Sequence, residues 1–476
     1  MNFRVVLYVL GGLLRLLGLF MIVPLGVSYY YGESLTPFLV SIFITTVTGF
    51  LLLSYKTDEE WMRKEGIAIV ALGWLAAAIF GAIPFIMDGI SPLNAVFESM
   101  SGFTTTGSTI LTDIESHPKG ILFWRGLIMW LGGMGIIVLF IAILPKLGVA
   151  GRQLFRAEAP GPTEEKLKPR VRETARILWS IYFVISFLMV VSLLLAGVSL
   201  YDSLNHMFAA MGCGGFSNYG QSIGAFNSPL VEYIITFFTF VAGANFALYY
   251  RAIYIDKNLL FKDDEFRFYI ALILAASGIL TFLLWRDLGT NLSDSFRYAI
   301  FHVVTIITST GFATTDFNLW SESAKMILII VMFIGACAGS TGGGIKVVRI
   351  LILLRHSRIE LFKALHPRAV RNVKFNNKIV PDEIVNSIVS FVVIYLLVFL
   401  SSALILSVLG MDIITSITAS IVTLGNIGPG LNVVGPMGSF DPIPPLGKLV
   451  LIANMWIGRL EVYTVILLFT PEFWKK

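Results

Sequence analysis

Ten long apolar runs constrain how this 476-residue chain can fold; they fall near residues 5–27, 36–54, 66–87, 121–145, 177–198, 230–250, 268–285, 325–353, 384–409 and 446–469. A helix needs about 20 apolar residues to cross a hydrocarbon layer, and the runs are of that order. Apolar residues make up 56% of the chain and charged residues 14%, too few to wet the surface of a soluble protein. The expected fold is therefore an all-α integral membrane protein with ten spanning helices. The first run resembles a secretory signal. It is long, lacks a small-residue cleavage site and leads at once into a second apolar run, so an uncleaved helix is expected. Cys213 and Cys337 are the only cysteines and neither has CxxC spacing, which argues against a disulfide framework or a zinc site.

The loops between the runs alternate in charge. Residues 55–65 carry Lys56, Arg63 and Lys64; residues 146–176 carry eight basic side chains, residues 251–267 four and residues 346–378 nine. No Lys or Arg lies between Tyr201 and Pro229, or between Met411 and Gly447. Excess Lys and Arg marks the cytoplasmic side, so both termini are expected inside and the bare loops outside. The net charge of +5 is thus concentrated on one face.

Each bare loop contains a short, half-apolar stretch of about a dozen residues, too short to span, followed by a glycine. Such a stretch reads as a re-entrant helix whose chain returns through non-helical backbone, which membranes tolerate only in a wet cavity or inside protein. Four returns align without gaps: Thr105-Thr106-Gly107-Ser108-Thr109, Cys213-Gly214-Gly215-Phe216-Ser217, Ser309-Thr310-Gly311-Phe312-Ala313 and Asn426-Ile427-Gly428-Pro429-Gly430. Nine residues before the glycines stand Glu98, His206, His302 and Ala419. The period is helix, pore helix, filter strand, helix, repeated four times in one orientation, as a ring about a membrane-normal axis requires. The expected divisions are an N-terminal hairpin over 1–57 and pore-loop repeats over 58–150, 151–257, 258–372 and 373–476.

Four loops meeting on an axis can offer rings of backbone carbonyls to a dehydrated cation. Glycine permits the backbone that such aim requires, and pore helices turn their partially negative C-terminal ends toward the ion. No Lys or Arg occurs in the four segments, which disfavours an anion. The candidate ion-binding residues are Thr105, Thr106, Gly107, Cys213, Gly214, Gly215, Ser309, Thr310, Gly311, Asn426, Ile427 and Gly428. Glycines are sparser here than in a Thr-Val-Gly-Tyr-Gly filter, so sodium is expected to be rejected less strictly than in dedicated potassium channels.

Three further features carry two readings each. Gly339-Ser340-Thr341-Gly342-Gly343-Gly344 has the end glycines of a phosphate loop, but Ile345 stands where its lysine belongs, and the run interrupts an apolar stretch. A broken helix beneath the filter is the preferred reading, close packing the other. Arg459 lies inside the last apolar run, where a charge is costly and functional by default; the alternative is a local ion pair, for instance with Glu461. Glu98, His206 and His302 lack the spacing of a metal or catalytic cluster and are assigned to bracing the filter from behind. Gly132-Gly133-Met134-Gly135 reads as close helix packing.

These segments, with Trp130–Val138, Ala159-Pro160-Gly161-Pro162, Gly335–Lys346, Leu365–Val370 and Gly458-Arg459-Leu460-Glu461, resemble the TrkH/KtrB/HKT superfamily of potassium transporters over essentially the whole chain. The N-terminal hairpin places the likeness nearest the TrkH branch. The resemblance implies potassium uptake by a non-enzyme in a bacterial or archaeal inner membrane, with potassium as the ion and no organic cofactor. It implies that residues 339–344 act as a gate and that Arg459 reaches the conduction path as an electrostatic barrier. It also implies a homodimer, with the basic loops facing lipid and a nucleotide-binding TrkA-type cytosolic ring. The family commonly has Thr or Ser where this chain has Cys213, a change that keeps a carbonyl and loses a hydroxyl. A sodium- or proton-coupled symporter and a poorly selective potassium/sodium channel are the alternatives within transport; an intramembrane enzyme would need a nucleophile–base or metal constellation that the sequence does not display.

Overall fold

A computed structural model describes residues 1–56, 63–135 and 171–474. Most of the basic segment 146–176, the Ala159–Pro162 motif and Ile136–Val138 lie outside the described residues.

Helices Phe3–Phe20 and Ile22–Tyr30 pair with Thr36–Leu53 as an N-terminal hairpin. The partners cross closely because Gly11 and Gly49 face each other: a Cβ on Gly11 would come within 2.7 Å of the Gly49 carbonyl. The first helix then packs on Arg63–Gly81, the outer helix of the first repeat.

Four repeats of one plan follow. The outer helices are Arg63–Gly81, Val171–Leu195, Asp264–Leu288 and Asp382–Val408. The short helices are Pro92–Phe103, Leu200–Met211, Leu292–Ile307 and Ile413–Leu424, and the inner helices begin at Lys119, Pro229, Glu322 and Pro445. Local sequence explains where the short helices start. They follow Ser91, Ser199, Asn291 and Asp412, all residue types favoured at an N-cap; the Ser199 and Asp412 side chains accept from the amides of Asp202 and Thr415. Each inner helix packs on the short helix of its own repeat and on that of the next, and the fourth returns to the first. The repeats therefore close into a ring.

Side chains turned away from the ring are apolar. On Asp382–Val408, Leu397, Leu400 and Leu404 are 58%, 58% and 66% exposed, a stripe suited to lipid rather than water. Six described helical spans are long and apolar enough to cross a membrane. Phe3 stacks on Trp474 with ring centroids 5.9 Å apart, and the Lys64 ammonium donates to the Glu472 carbonyl, so the two ends of the chain meet.

The inner helices depart from the expectation of uninterrupted spans. The run 230–250 divides into Pro229–Ala242 and Phe246–Tyr254, set 88° apart, and 446–469 into Pro445–Arg459 and Glu461–Leu468, set 119° apart. The run 325–353 divides around residues 335–346. Hydropathy cannot register such breaks, because the residues on either side remain apolar. Freed backbone groups in the second repeat are satisfied by the third: Cys337 N donates to Gly243 O at 3.0 Å, and Phe246 N to Gly339 O at 3.0 Å. The segment 346–378, read from sequence as a basic loop, holds helix Val347–Leu365 and a small hairpin pairing Lys374–Phe375 with Lys378–Ile379. Asn376 and Asn377 sit at φ 48° and 61°, the left-handed geometry of a tight hairpin turn.

Candidate functional site

The C-termini of the four short helices finish in the same way. The first residue of each return is left-handed without being glycine: Thr105, Cys213, Ser309 and Asn426 have φ of 54°, 55°, 58° and 53°. The next amide reaches back five residues, from Thr106 to Ser101 O, Gly214 to Ala209 O, Thr310 to Thr305 O and Ile427 to Val422 O, at 2.7–2.8 Å. This is the helix-terminating bond that satisfies carbonyls otherwise left orphaned. Left-handed backbone is costly for a β-branched residue such as Thr105, so the packing around it must hold it there. Two residues on, Gly107, Gly215, Gly311 and Gly428 also have positive φ, at 84°, 71°, 77° and 104°.

The loops interlock in sequence order. A Cβ at Gly107 would strike the Gly214 carbonyl, one at Gly215 the Thr310 carbonyl and one at Gly311 the Ile427 carbonyl; one at Gly428 would lie 2.9 Å from the Thr106 carbonyl. Each glycine thus faces the second residue of the next loop, and the fourth faces the first. Ser108 Oγ donates to Gly428 O at 3.0 Å across the last seam, and Asn426 Nδ2 donates to Thr106 Oγ1 at 2.9 Å. One cleft touches all four glycines and is also lined by Ser217 and Tyr219. Tyr219, in the loop beyond the return, donates to Asp202 at 3.1 Å; burial and then that carboxylate push its hydroxyl up to about 12.

Side chains on the short helices hold the returning strands. Glu98 accepts from Thr109 Oγ1 and Ile110 N, both at 2.9 Å. In the next two repeats the histidines adopt one tautomer: Nδ1 donates to the carbonyl four residues back, Asp202 for His206 and Tyr298 for His302, at 2.8 Å. Nε2 is left as an acceptor, for the Ser217 hydroxyl at 2.9 Å and the Thr314 amide at 3.4 Å. In the fourth repeat, where Ala419 stands, the neighbouring Thr418 Oγ1 accepts from Leu431 N at 3.0 Å. Among the described residues no three His, Cys, Asp or Glu side chains gather as a metal-holding group.

Arg125, on the first inner helix, was not singled out from sequence, although a charge within an apolar run was the available signal. It is buried and donates to Glu98 at 2.6 Å and to the Ser217 carbonyl at 2.8 Å, and it lies 3.6 Å from the centre of the Phe216 ring. It joins the first loop to the second. Replacing Arg125 with leucine is expected to destabilise the protein by about 3–5 kcal/mol, because a buried carboxylate loses its counter-charge. The fall would appear in the thermal midpoint of the detergent-solubilised protein.

Residues 335–346 pack against the first position of three returns, at Cys213, Ser309 and Asn426. Gly343 N donates to Ser309 Oγ at 2.6 Å, and Thr341 Oγ1 to Cys213 Sγ at 3.0 Å. Gly343 has no Cβ because one would strike the Gly425 carbonyl. Lys346, also buried, donates to the Gly342 carbonyl. Arg459 sits at the bend of the last inner helix rather than within a continuous span. It donates to Thr105 Oγ1 at 3.1 Å, Thr341 O at 2.8 Å, and the Gly132 and Gly133 carbonyls at 2.5 and 2.9 Å. Glu461, its alternative partner from sequence, accepts from Arg349 at 2.6 Å. Gly132 and Gly133 therefore combine close packing, against Phe103 and Gly212, with service as acceptors.

Comparison with known proteins agrees over the whole chain. The TrkH family model, described as a cation transport protein, matches residues 33–476. The Trk system potassium uptake protein TrkH of Escherichia coli (strain K12) is 39% identical over all of both chains, and that of Halomonas elongata 38%. The crystal structure of the potassium transporter TrkH from Vibrio parahaemolyticus superposes with a TM-score of 0.90 at 36% identity, again covering all of each chain. A ring of four interlocked loops on a multi-span helical frame, with relatives matched from end to end, places this chain in the TrkH family of cation transport proteins.

Proposed function

We propose that the chain takes up potassium across a cytoplasmic membrane, along the axis enclosed by the four returning loops. The cyclic interlock of Gly107, Gly215, Gly311 and Gly428 supports this most directly, since it gathers the four glycines and the carbonyls they face around one cleft, where rings of carbonyls could meet a cation. The ends of four short helices add partial negative charge toward the same cleft. Thr105, Thr106, Cys213, Gly214, Ser309, Thr310, Asn426 and Ile427 complete the selectivity filter in this reading, braced by Glu98, His206 and His302. The mixed residues at its first position, a thiol and an amide among hydroxyls, favour weaker sodium rejection than in a fourfold-identical filter.

Residues 339–344 form the gate in the same reading, and Arg459 a positive barrier beside it. The basic segments face the cytosol, together with both termini, and the repeats divide near residues 57, 150, 257 and 372. The relatives' names speak of a Trk system, which supports partnership with other Trk components; the resemblance read from the sequence extends this to a homodimer served by a TrkA-type nucleotide-binding ring, with anionic lipid at the basic loops.

Expression in a strain lacking potassium uptake is expected to restore growth at low potassium. Purified protein in vesicles is expected to pass potassium down its own gradient without an imposed sodium or proton gradient. Failure of both would sink the proposal, and flux only when a second gradient is imposed would replace it with coupled symport.

A further inference from the structure

The break in the third inner helix leaves two stumps of backbone, and one buried carboxylate holds both. Glu265, 4% exposed in the first turn of Asp264–Leu288, accepts through one oxygen from Ala338 N at 2.7 Å and from Val348 N at 3.2 Å. Ala338 lies before the Gly339–Gly344 run and Val348 just after it. The helix starting at Val347 needs such a partner. Its N-cap residue, Lys346, sits at φ 84° and supplies no side-chain cap, so Glu265 caps it from another helix through a carboxyl oxygen.

The same turn is tied to the cytoplasmic hairpin. Asn376, at the hairpin tip, accepts from Asp264 N at 2.8 Å, and its own amide donates to Asp264 Oδ2 at 3.0 Å. Its side chain donates to Asp263 at 2.8 Å, and Arg355 donates to both Asp264 and the Lys374 carbonyl. A continuous strut therefore runs from the hairpin, through the start of the outer helix, to the loop packed against the returns.

We propose that Glu265 is the positioning residue for the 335–346 loop, and that the 374–379 hairpin fixes the helix turn from which Glu265 acts. The proposal rests on the gate reading only where flux is concerned; the loop's position can be tested without it. Cys337, within the held segment and 1% exposed, is a native reporter. Maleimide labelling of the full-length protein in detergent, read by peptide mass spectrometry, separates Cys337 from Cys213. Glu265→Leu is expected to speed Cys337 labelling roughly tenfold, the scale of a lost buried hydrogen bond. Asn376→Ala should speed it less, and Glu265→Gln, which keeps an acceptor oxygen, least. Asn376→Ala added to Glu265→Leu should contribute little more, since both act through one contact.

Unchanged labelling in Glu265→Leu would overturn the proposal. So would an equal rise in Asp287→Asn, a control at the far end of the same helix, because that would report general loosening. If Glu265→Leu does not fold, unchanged labelling in both Asn376→Ala and Glu265→Gln overturns it instead. Faster labelling with unchanged potassium flux would support the positioning role and count against the loop as gate.

Discussion

Replacing Gly311 with alanine is expected to cut potassium flux on the order of a hundredfold, whether the protein is assayed in vesicles or by growth. The new methyl would enter the space of the Ile427 carbonyl and press on Pro429 at a backbone φ of 77°. The left-handed backbone alone costs an alanine roughly 1 kcal/mol or more. The overlap cannot be relieved by a side-chain rotation, since the obstructing atom is backbone. Loop three, loop four or both must shift, and the carbonyls they hold lose their common aim. Gly278→Ala supplies the contrast. That glycine lies inside Asp264–Leu288 with no atom beyond its own helix backbone and chain neighbours within 4 Å of its would-be Cβ, so its substitution should leave flux unchanged and the thermal midpoint unchanged or slightly raised. Undiminished potassium flux in folded Gly311→Ala protein would remove the interlocked loops from the transport account.

Arg459→Ala is expected to raise basal potassium flux at least tenfold. Two unit charges about 4 Å apart interact by about 4 kcal/mol at an effective dielectric of about 20, so a guanidinium hydrogen-bonded to Thr105 would oppose a cation leaving the filter. The same side chain also fastens the loop, through the Thr341 carbonyl, to Gly132 and Gly133 of the first inner helix. Alanine removes the charge and the fastening together, while Arg459→Lys keeps the charge but cannot reproduce the planar fork of donors. Flux in the lysine variant should therefore fall between the two. Vesicle flux in Arg459→Ala equal to that of the parent would leave Arg459 a purely structural residue.

The repeats are alike in backbone and unlike in side chains. Three histidine- or carboxylate-based braces and one threonine perform the same local task, accepting from the strand two or three residues beyond the glycine. Only the first brace is a charged pair, and its arginine reaches into the second loop. Perturbation of the first repeat should accordingly spread to its neighbour, whereas loss of His302 should stay local.

Much of this was legible before any coordinates. Apolar run length and the glycine register were enough to expect four loops of one design, because a membrane forbids unpaired backbone in lipid and glycine alone tolerates such close approach. The positive φ at Thr105, Cys213, Ser309 and Asn426 was not legible: these residues differ, and only the shared helix-ending bond imposes a common conformation on them. Direction was equally hidden. The bends after Ala242 and Arg459 leave hydropathy intact, since both halves of each helix remain apolar. Arg125 and Glu265 were visible as charges in or beside apolar segments, yet their partners lie 27 and 73 or more residues away. Sequence determined the number of loops and their chemistry, for those follow from local composition and spacing. Which loop faces which, and which carboxylate caps the broken helix, depended on closing the ring, because contacts between distant segments exist only once the chain has packed.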